Sequence, residues 1–79
     1  GTVEKDAKTQ LQEYLQGRSN PLPVYELLSV QGEDHTQQFQ VACRLRDPKL
    51  VVEGSGPSRR KAEQDAATLA LERLSNHDL

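Results

Sequence analysis

The hydrophobic positions of this chain change period twice. From Asp6 to Gly17, DAKTQLQEYLQG, they recur with the spacing of a helix. At about 100° per residue, Ala7, Leu11, Tyr14 and Leu15 gather on one side. Thr9, Gln12, Glu13 and Gln16 fall on the other side at i, i+3, i+4 and i+7, a polar stripe without Lys or Arg. Asp6 is suited to cap the start and Gly17 to stop the end. The SNPLP that follows cannot continue a helix. The period then shortens. Val24–Val30, VYELLSV, is rich in strand formers. After a turn in which Gly32 can take a positive φ, Gln38–Leu45 alternates strictly. Phe39, Val41, Cys43 and Leu45 point to one face, and Gln38, Gln40, Ala42 and Arg44 to the other. Leu50–Glu53 predicts a short third strand, ended by a glycine loop. From Arg59 to Leu74 the helical period returns, with Ser58 as N-cap. Ala62, Ala66, Ala67 and Ala70 let that helix approach a neighbour closely, and Leu69, Leu71 and Leu74 supply bulk.

The order helix, strand, strand, strand, helix predicts an α+β domain. Three strands on short turns form an antiparallel meander, and two amphipathic helices cover one of its faces. No repeat or low-complexity segment interrupts it. Residues 1–5 read as a linker or cloning remnant, 6–74 as the domain, and 75–79 as a flexible tail.

Composition narrows the picture. At 79 residues the chain is one small domain, and such a domain buries only about 60% of its unfolded surface. Hydrophobic residues make up 34%, yet they are periodic rather than sparse, which argues for a folded chain. The single cysteine, Cys43, excludes an internal disulfide framework and sits where a small buried hydrophobe belongs. No run is long and apolar enough for a membrane span, and a cytoplasmic setting fits.

The net charge of −2 argues against nucleic-acid binding through bulk charge. Its distribution points the other way. Six of the ten basic residues, and only two of the twelve acids, lie between Arg44 and Lys61. Three of the six stand side by side in GSGPSRRK, Gly54–Lys61, where the last helix begins. A helix N-terminus carries roughly +0.5 of an elementary charge, so Arg59, Arg60 and Lys61 oppose it. Either they belong to an ordinary solvated face, or they and the free amides of the first turn form an anion site.

Catalytic chemistry finds little support. His35, His77 and Cys43 are too few and too scattered for zinc, and no catalytic or metal-ligating residue is assigned. GSGPSRRK lacks the Gly-Lys-Ser/Thr ending of a phosphate loop. Single-stranded nucleic acid is disfavoured, because Tyr14, Tyr25 and Phe39 fall on core-facing sides and leave no stacking platform. A double-stranded RNA fits better. Its shallow minor groove presents 2′-hydroxyls, and its narrow major groove is flanked by phosphates. The stripe Thr9, Gln12, Glu13, Gln16 suits the first, because Glu13 can accept from a 2′-hydroxyl or a guanine amino group. Ser58, Arg59, Arg60 and Lys61 suit the second. A plain solvated helix face is the alternative for the stripe.

GSGPSRRKAEQDAA resembles the glycine-loop signature of the double-stranded-RNA-binding domain, Gly-x-Gly-x-Ser-Lys-Lys-x-Ala-x-x-x-Ala-Ala. Gly54, Gly56, Ser58, Ala62, Ala66 and Ala67 match it, and arginines replace the usual lysines at Arg59 and Arg60. KTQLQEYLQ and SRRKAEQ resemble this domain as found in bacterial ribonuclease III. The resemblance spans nearly the whole chain and implies the α-β-β-β-α fold. It implies three RNA contact regions: Thr9, Gln12, Glu13 and Gln16 in one minor groove, His35 in the next, and Ser58, Arg59, Arg60 and Lys61 on phosphates between them. Glu63 departs from the pattern, since many members carry a lysine there, and this weakens the clamp by one contact. Ala7 replaces a frequent proline, and Pro57 stiffens the loop.

The resemblance further implies a domain that binds duplex RNA without cutting it and needs no cofactor of its own. The parent enzyme it implies is a homodimeric ribonuclease that processes structured RNA such as ribosomal RNA precursors, with magnesium held in a separate catalytic domain. A domain of the same fold that binds proteins instead is the competing reading. The isolated domain is expected to be a monomer.

Overall fold

The structure, a computed structural model, describes residues 6–77. Its order is α1 (Ala7–Gly17), β1 (Val24–Gln31), β2 (Gln38–Arg46), β3 (Lys49–Gly56) and α2 (Arg59–His77). The strands form one antiparallel sheet in the order β1-β2-β3. α2 lies across β2 and β3, and α1 packs on α2. This is the predicted α+β domain with both helices on one face of the sheet. The expected linker over 1–5 lies outside the described residues. α2 continues through Ser75 and Asn76 to His77, three residues past its predicted end.

The core follows from the two periods. Leu11 and Leu15 of α1, Cys43 and Leu45 of β2, Val52 of β3, and Ala66, Ala67, Ala70 and Leu74 of α2 form one buried cluster. Tyr14 and Tyr25 pack against its edge. Burial pushes the phenol of Tyr25 and the thiol of Cys43 up, so both stay protonated at neutral pH. Cys43 is thus a packing residue, as its place in the alternation predicts.

Several local expectations give way to tertiary structure. Asp6 caps α1 as expected, its Oδ1 accepting from the Thr9 amide at 2.8 Å. The end of α1 is different. Gly17 remains helical, and the left-handed residue is Ser19, with φ 57°. The Asn20 amide donates to Leu15 O at 2.9 Å and the Ser19 amide to Gln16 O at 3.0 Å, the paired bonds of a Schellman end. In β1 a bulge between Leu27 and Ser29 shifts the register, so Leu27 faces Val41 while Val30 faces Phe39. Ala42, predicted to face solvent, is only 1% exposed. It stands between Glu26 and Glu53 in the register, a methyl group among longer side chains.

The largest correction concerns the glycines. They do not form a loop that ends β3. Gly54, Ser55 and Gly56 continue the strand, opposite Val41, Gln40 and Phe39. Gly54 is needed because α2 crosses directly above it. A Cβ there would lie 2.7 Å from both Ala62 O and Ala66 Cα and would meet the Ala66 amide nitrogen. Backbone cannot yield as a flexible side-chain end can, so the helix would have to lift.

Two glycine substitutions should therefore move stability in opposite directions. Gly54→Ala is expected to cost about 2–3 kcal/mol by overpacking, lowering Tm by about 10–20 °C for a domain of this size. Gly17→Ala should add about 0.5–1 kcal/mol by restricting the unfolded chain, because nothing lies within 4 Å of the new methyl. Thermal unfolding followed by circular dichroism measures both.

Candidate nucleic-acid interface

α1 presents Thr9, Gln12, Glu13 and Gln16 to solvent, opposite the fully buried Leu11 and Leu15. The stripe predicted from the period is thus one exposed face. Arg18, just past the helix, lies over the Tyr14 ring with its guanidinium 3.8 Å from the centroid.

α2 begins where β3 delivers the chain at Gly56–Pro57. Ser58 is its N-cap: Ser58 Oγ accepts from the Lys61 amide at 3.2 Å, and Ser58 O accepts from the Ala62 amide at 2.9 Å. No acid occupies the first turn. Arg59, Arg60 and Lys61 are all exposed there. Among the described residues Arg60 and Lys61 make no ion pair, whereas Arg59 Nε donates to Glu63 Oε2 at 3.1 Å.

The two acids behind the cations are both engaged. Asp65 Oδ2 accepts from the Ser55 amide at 2.9 Å, tying α2 to the glycine strand. Glu63 Oε1 accepts from Lys8 Nζ at 2.6 Å, tying α2 to α1. The Lys8 amide donates to Gln64 Oε1 at 3.1 Å, a second tie at the same place. Lys8 Nζ also lies 4.9 Å from the centroid of the Tyr25 ring. Burial pushes the Glu63 carboxyl up, but hydrogen bonds and charge from Lys8 and Arg59 outweigh it and hold it below the usual carboxylate range. The stabilisation that goes with this depression is present above the ordinary carboxylate pKa and lost as pH falls through the lowered value.

The start of α1, just before the stripe, and the start of α2 are brought together. Asp6 and Ala7 share a surface depression with Arg60 and Lys61. His35 is separate. It is exposed in the β1–β2 loop beside Glu33, Asp34 and Thr36, where the Thr36 amide donates to Glu33 O at 2.8 Å. It makes no hydrogen bond to either helix among the described residues. The register does place this loop at the sheet end where α2 starts, because Gln31 pairs with Gln38 and Phe39 with Gly56.

The positive block of the sequence is not one patch in space. Arg44 lies on the open face of the sheet, its Nη2 2.8 Å from Glu26 Oε1. Arg46 and Lys49 flank the β2–β3 turn at the sheet end away from α2's start. Only Arg59, Arg60 and Lys61 gather at the helix. Sequence reasoning missed Lys8 altogether. The Arg59–Glu63 spacing of i, i+4 was a readable signal for an ion pair, but Lys8 is 55 residues from Glu63 and only the fold joins them.

Known proteins match this arrangement. The chain is 57% identical over 76 residues to ribonuclease 3 of Vibrio atlanticus, covering 96% of this chain and 34% of that protein. It is 53% identical over 77 residues to ribonuclease 3 of Xanthomonas axonopodis pv. citri, again covering 34% of the relative. The chain thus spans about a third of the length of these curated relatives. Among solved structures, Arabidopsis HYL1, studied for its implications in miRNA processing, superposes with a TM-score of 0.73 at 37% identity, over 87% of this chain and 96% of that one. Residues 7–74 match the family described as the double-stranded RNA binding motif, and the chain belongs to that family.

Proposed function

We propose that this domain holds A-form RNA by its shape and delivers it to the catalytic part of a ribonuclease III. One observation carries the reading. An exposed polar stripe on α1, with Glu13 as its one charged member, and a first turn of α2 whose Arg60 and Lys61 make no ion pair among the described residues lie on two helices joined through Lys8, Glu63 and Arg59. Minor-groove 2′-hydroxyls need neutral donors and acceptors, which Thr9, Gln12 and Gln16 supply, with Glu13 as an acceptor only. Phosphates need cations and free amides. Arg60 and Lys61 supply the first. The first-turn amides of a helix have no intrahelical partner, and Ser58 Oγ takes only that of Lys61. A bound phosphate would also relieve the repulsion between three cations and the helix dipole. His35 and its loop would extend the contact to the next minor groove, because a domain of this family spans about 16 base pairs.

The parent protein in this proposal is a cytoplasmic homodimer, paired through its catalytic domain, which uses magnesium to cut structured RNA such as ribosomal RNA precursors. Its similarity to ribonuclease 3 over this domain supports the proposal. No helix among the described residues is long and apolar enough to cross a membrane.

A duplex of about 20 base pairs, longer than the ~16 such domains span, tests the reading by gel shift or fluorescence anisotropy. RNA should bind more tightly than DNA of the same sequence, because only RNA carries the 2′-hydroxyl. Equal affinity for the two overturns it, and no affinity for either favours a protein-binding module.

Salt dependence separates the two surfaces. Arg60→Ala and Lys61→Ala should each weaken binding to all duplexes and reduce the slope of log K against log salt by about one. Gln12→Ala and Glu13→Ala should weaken RNA binding and leave that slope unchanged. A slope unaltered in Arg60→Ala and Lys61→Ala removes those residues from the phosphate site.

A further inference from the structure

Glu63 is the anomaly in this interface. It sits one turn behind Arg59, where its charge would repel any phosphate that the cations hold. A domain tuned only for phosphate affinity would carry a neutral or basic residue there. Yet the carboxylate is committed on both oxygens, to Lys8 at 2.6 Å and Arg59 at 3.1 Å, and its side chain is only 14% exposed. Lys8 is itself held, by the Tyr25 ring beneath its ammonium group and by Gln64 at its amide. A continuous chain of contacts therefore runs from β1 through the first turn of α1 to the first turn of α2. Its members adjoin the interface at both ends. Lys8 immediately precedes Thr9, the first residue of the stripe, and Arg59 is the first cation of α2.

We infer that Glu63 is a positioning residue of the RNA interface, holding the groove-reading stripe of α1 and the phosphate-binding turn of α2 at a fixed spacing. The inference rests on the duplex-RNA reading above. Its physical ground is the rigidity of the target. An A-form duplex sets the separation between its minor-groove hydroxyls and the phosphates across the major groove. Two surfaces that meet both at once gain from being held at that separation before binding, because ordering them later costs affinity. Arg59 gains in the same way. Engaged through Nε, it keeps two terminal amino groups that make no other bond among the described residues. Its guanidinium is ordered in advance and still able to donate to a phosphate.

The competing role, simple neutralisation of Arg59, predicts the opposite sign. Removing the charge of Glu63 would then release a cation and strengthen binding. Glu63→Gln keeps the size of the side chain but cannot accept from both Lys8 and Arg59 as the carboxylate does. Lys8→Gln breaks the same chain of contacts from the α1 side. Anisotropy titrations of the 79-residue chain and these variants, with a 20-base-pair RNA duplex and the matching DNA duplex, compare the two roles.

Positioning predicts that Glu63→Gln lowers RNA affinity about threefold to tenfold despite removing a negative charge, and lowers the preference for RNA over DNA by a similar factor. Lys8→Gln should act in the same direction. The double variant should be no worse than the more damaging single one, since both break one connection. Glu63→Gln binding RNA as tightly as the wild type, or more tightly, overturns the inference, as do two effects that multiply. Thermal unfolding of each variant exposes any loss due to folding, and if Glu63→Gln is unfolded then Lys8→Gln and its RNA preference carry the test. A wild type that prefers RNA while the variants keep that preference sinks only this inference. A wild type with no preference sinks the duplex-RNA reading as well.

Discussion

The close seat of α2 on β3 is the constraint from which the rest of this structure follows. Gly54 lies under the backbone of Ala62 and Ala66, and no side chain fits between them. Because the helix cannot stand further off, Ala62, Ala66, Ala67 and Ala70 become fully buried and Leu74 closes the far end. The same contact sets where α2 begins. β3 must run to Gly56 to pass beneath it, and the chain then turns at Pro57 and Ser58 directly into the first helical turn. Arg59, Arg60 and Lys61 owe their place to a packing requirement some residues away. A mobile loop ending in the same cations would have the charge without the fixed direction.

The electrostatics of that turn are settled by geometry more than by number. Three cations oppose the positive end of a helix, an arrangement costing about 0.3–1 kcal/mol for each exposed charge. The acids that follow the cations in α2, Glu63 and Asp65, hold elements together: one joins α1 to α2, the other holds the glycine strand. Exposed ion pairs such as Arg44–Glu26 contribute little, about 0–1 kcal/mol. The Glu63 pairings differ because that carboxylate is mostly sheltered and uses both oxygens. Arg60 and Lys61 are left as the cations of α2's start without a protein ion pair among the described residues, which is the condition a phosphate site requires.

Periodicity made much of the fold legible. The faces of α1, the core side of β2, the Asp6 and Ser58 caps and the alanines of α2 are all local patterns with one physical meaning. What escaped it depends on contacts distant in sequence. Gly54 and Gly56 read as a loop because glycine usually means freedom, whereas here its small size lets a helix approach. Gly17 read as a stop, but the left-handed turn falls at Ser19, where the amides of Ser19 and Asn20 meet the last free carbonyls. Ala42 read as exposed because alternation assigns a face and says nothing of neighbours. The run of positive charge from Arg44 to Lys61 read as one feature, and a hairpin and a helix divide it. For the site, the stripe and the cations were visible as residue types, while their junction at Lys8 and Glu63 was not.

That division changes how such an acidic domain can recognise RNA. Each phosphate neutralised contributes a nearly sequence-blind, salt-dependent increment, and here the first turn of α2 offers three cations, one of them already paired. In the proposed reading the electrostatic share of binding is therefore small, and it is also the share that a DNA duplex would satisfy equally well. Discrimination then falls to the α1 stripe, whose polar side chains would distinguish a 2′-hydroxyl from its absence only by meeting it at hydrogen-bond distance. With few charges to draw the duplex in, such an interface would depend on holding that distance before contact. Such a surface has more use for an acid that locks two helices together than for a fourth cation.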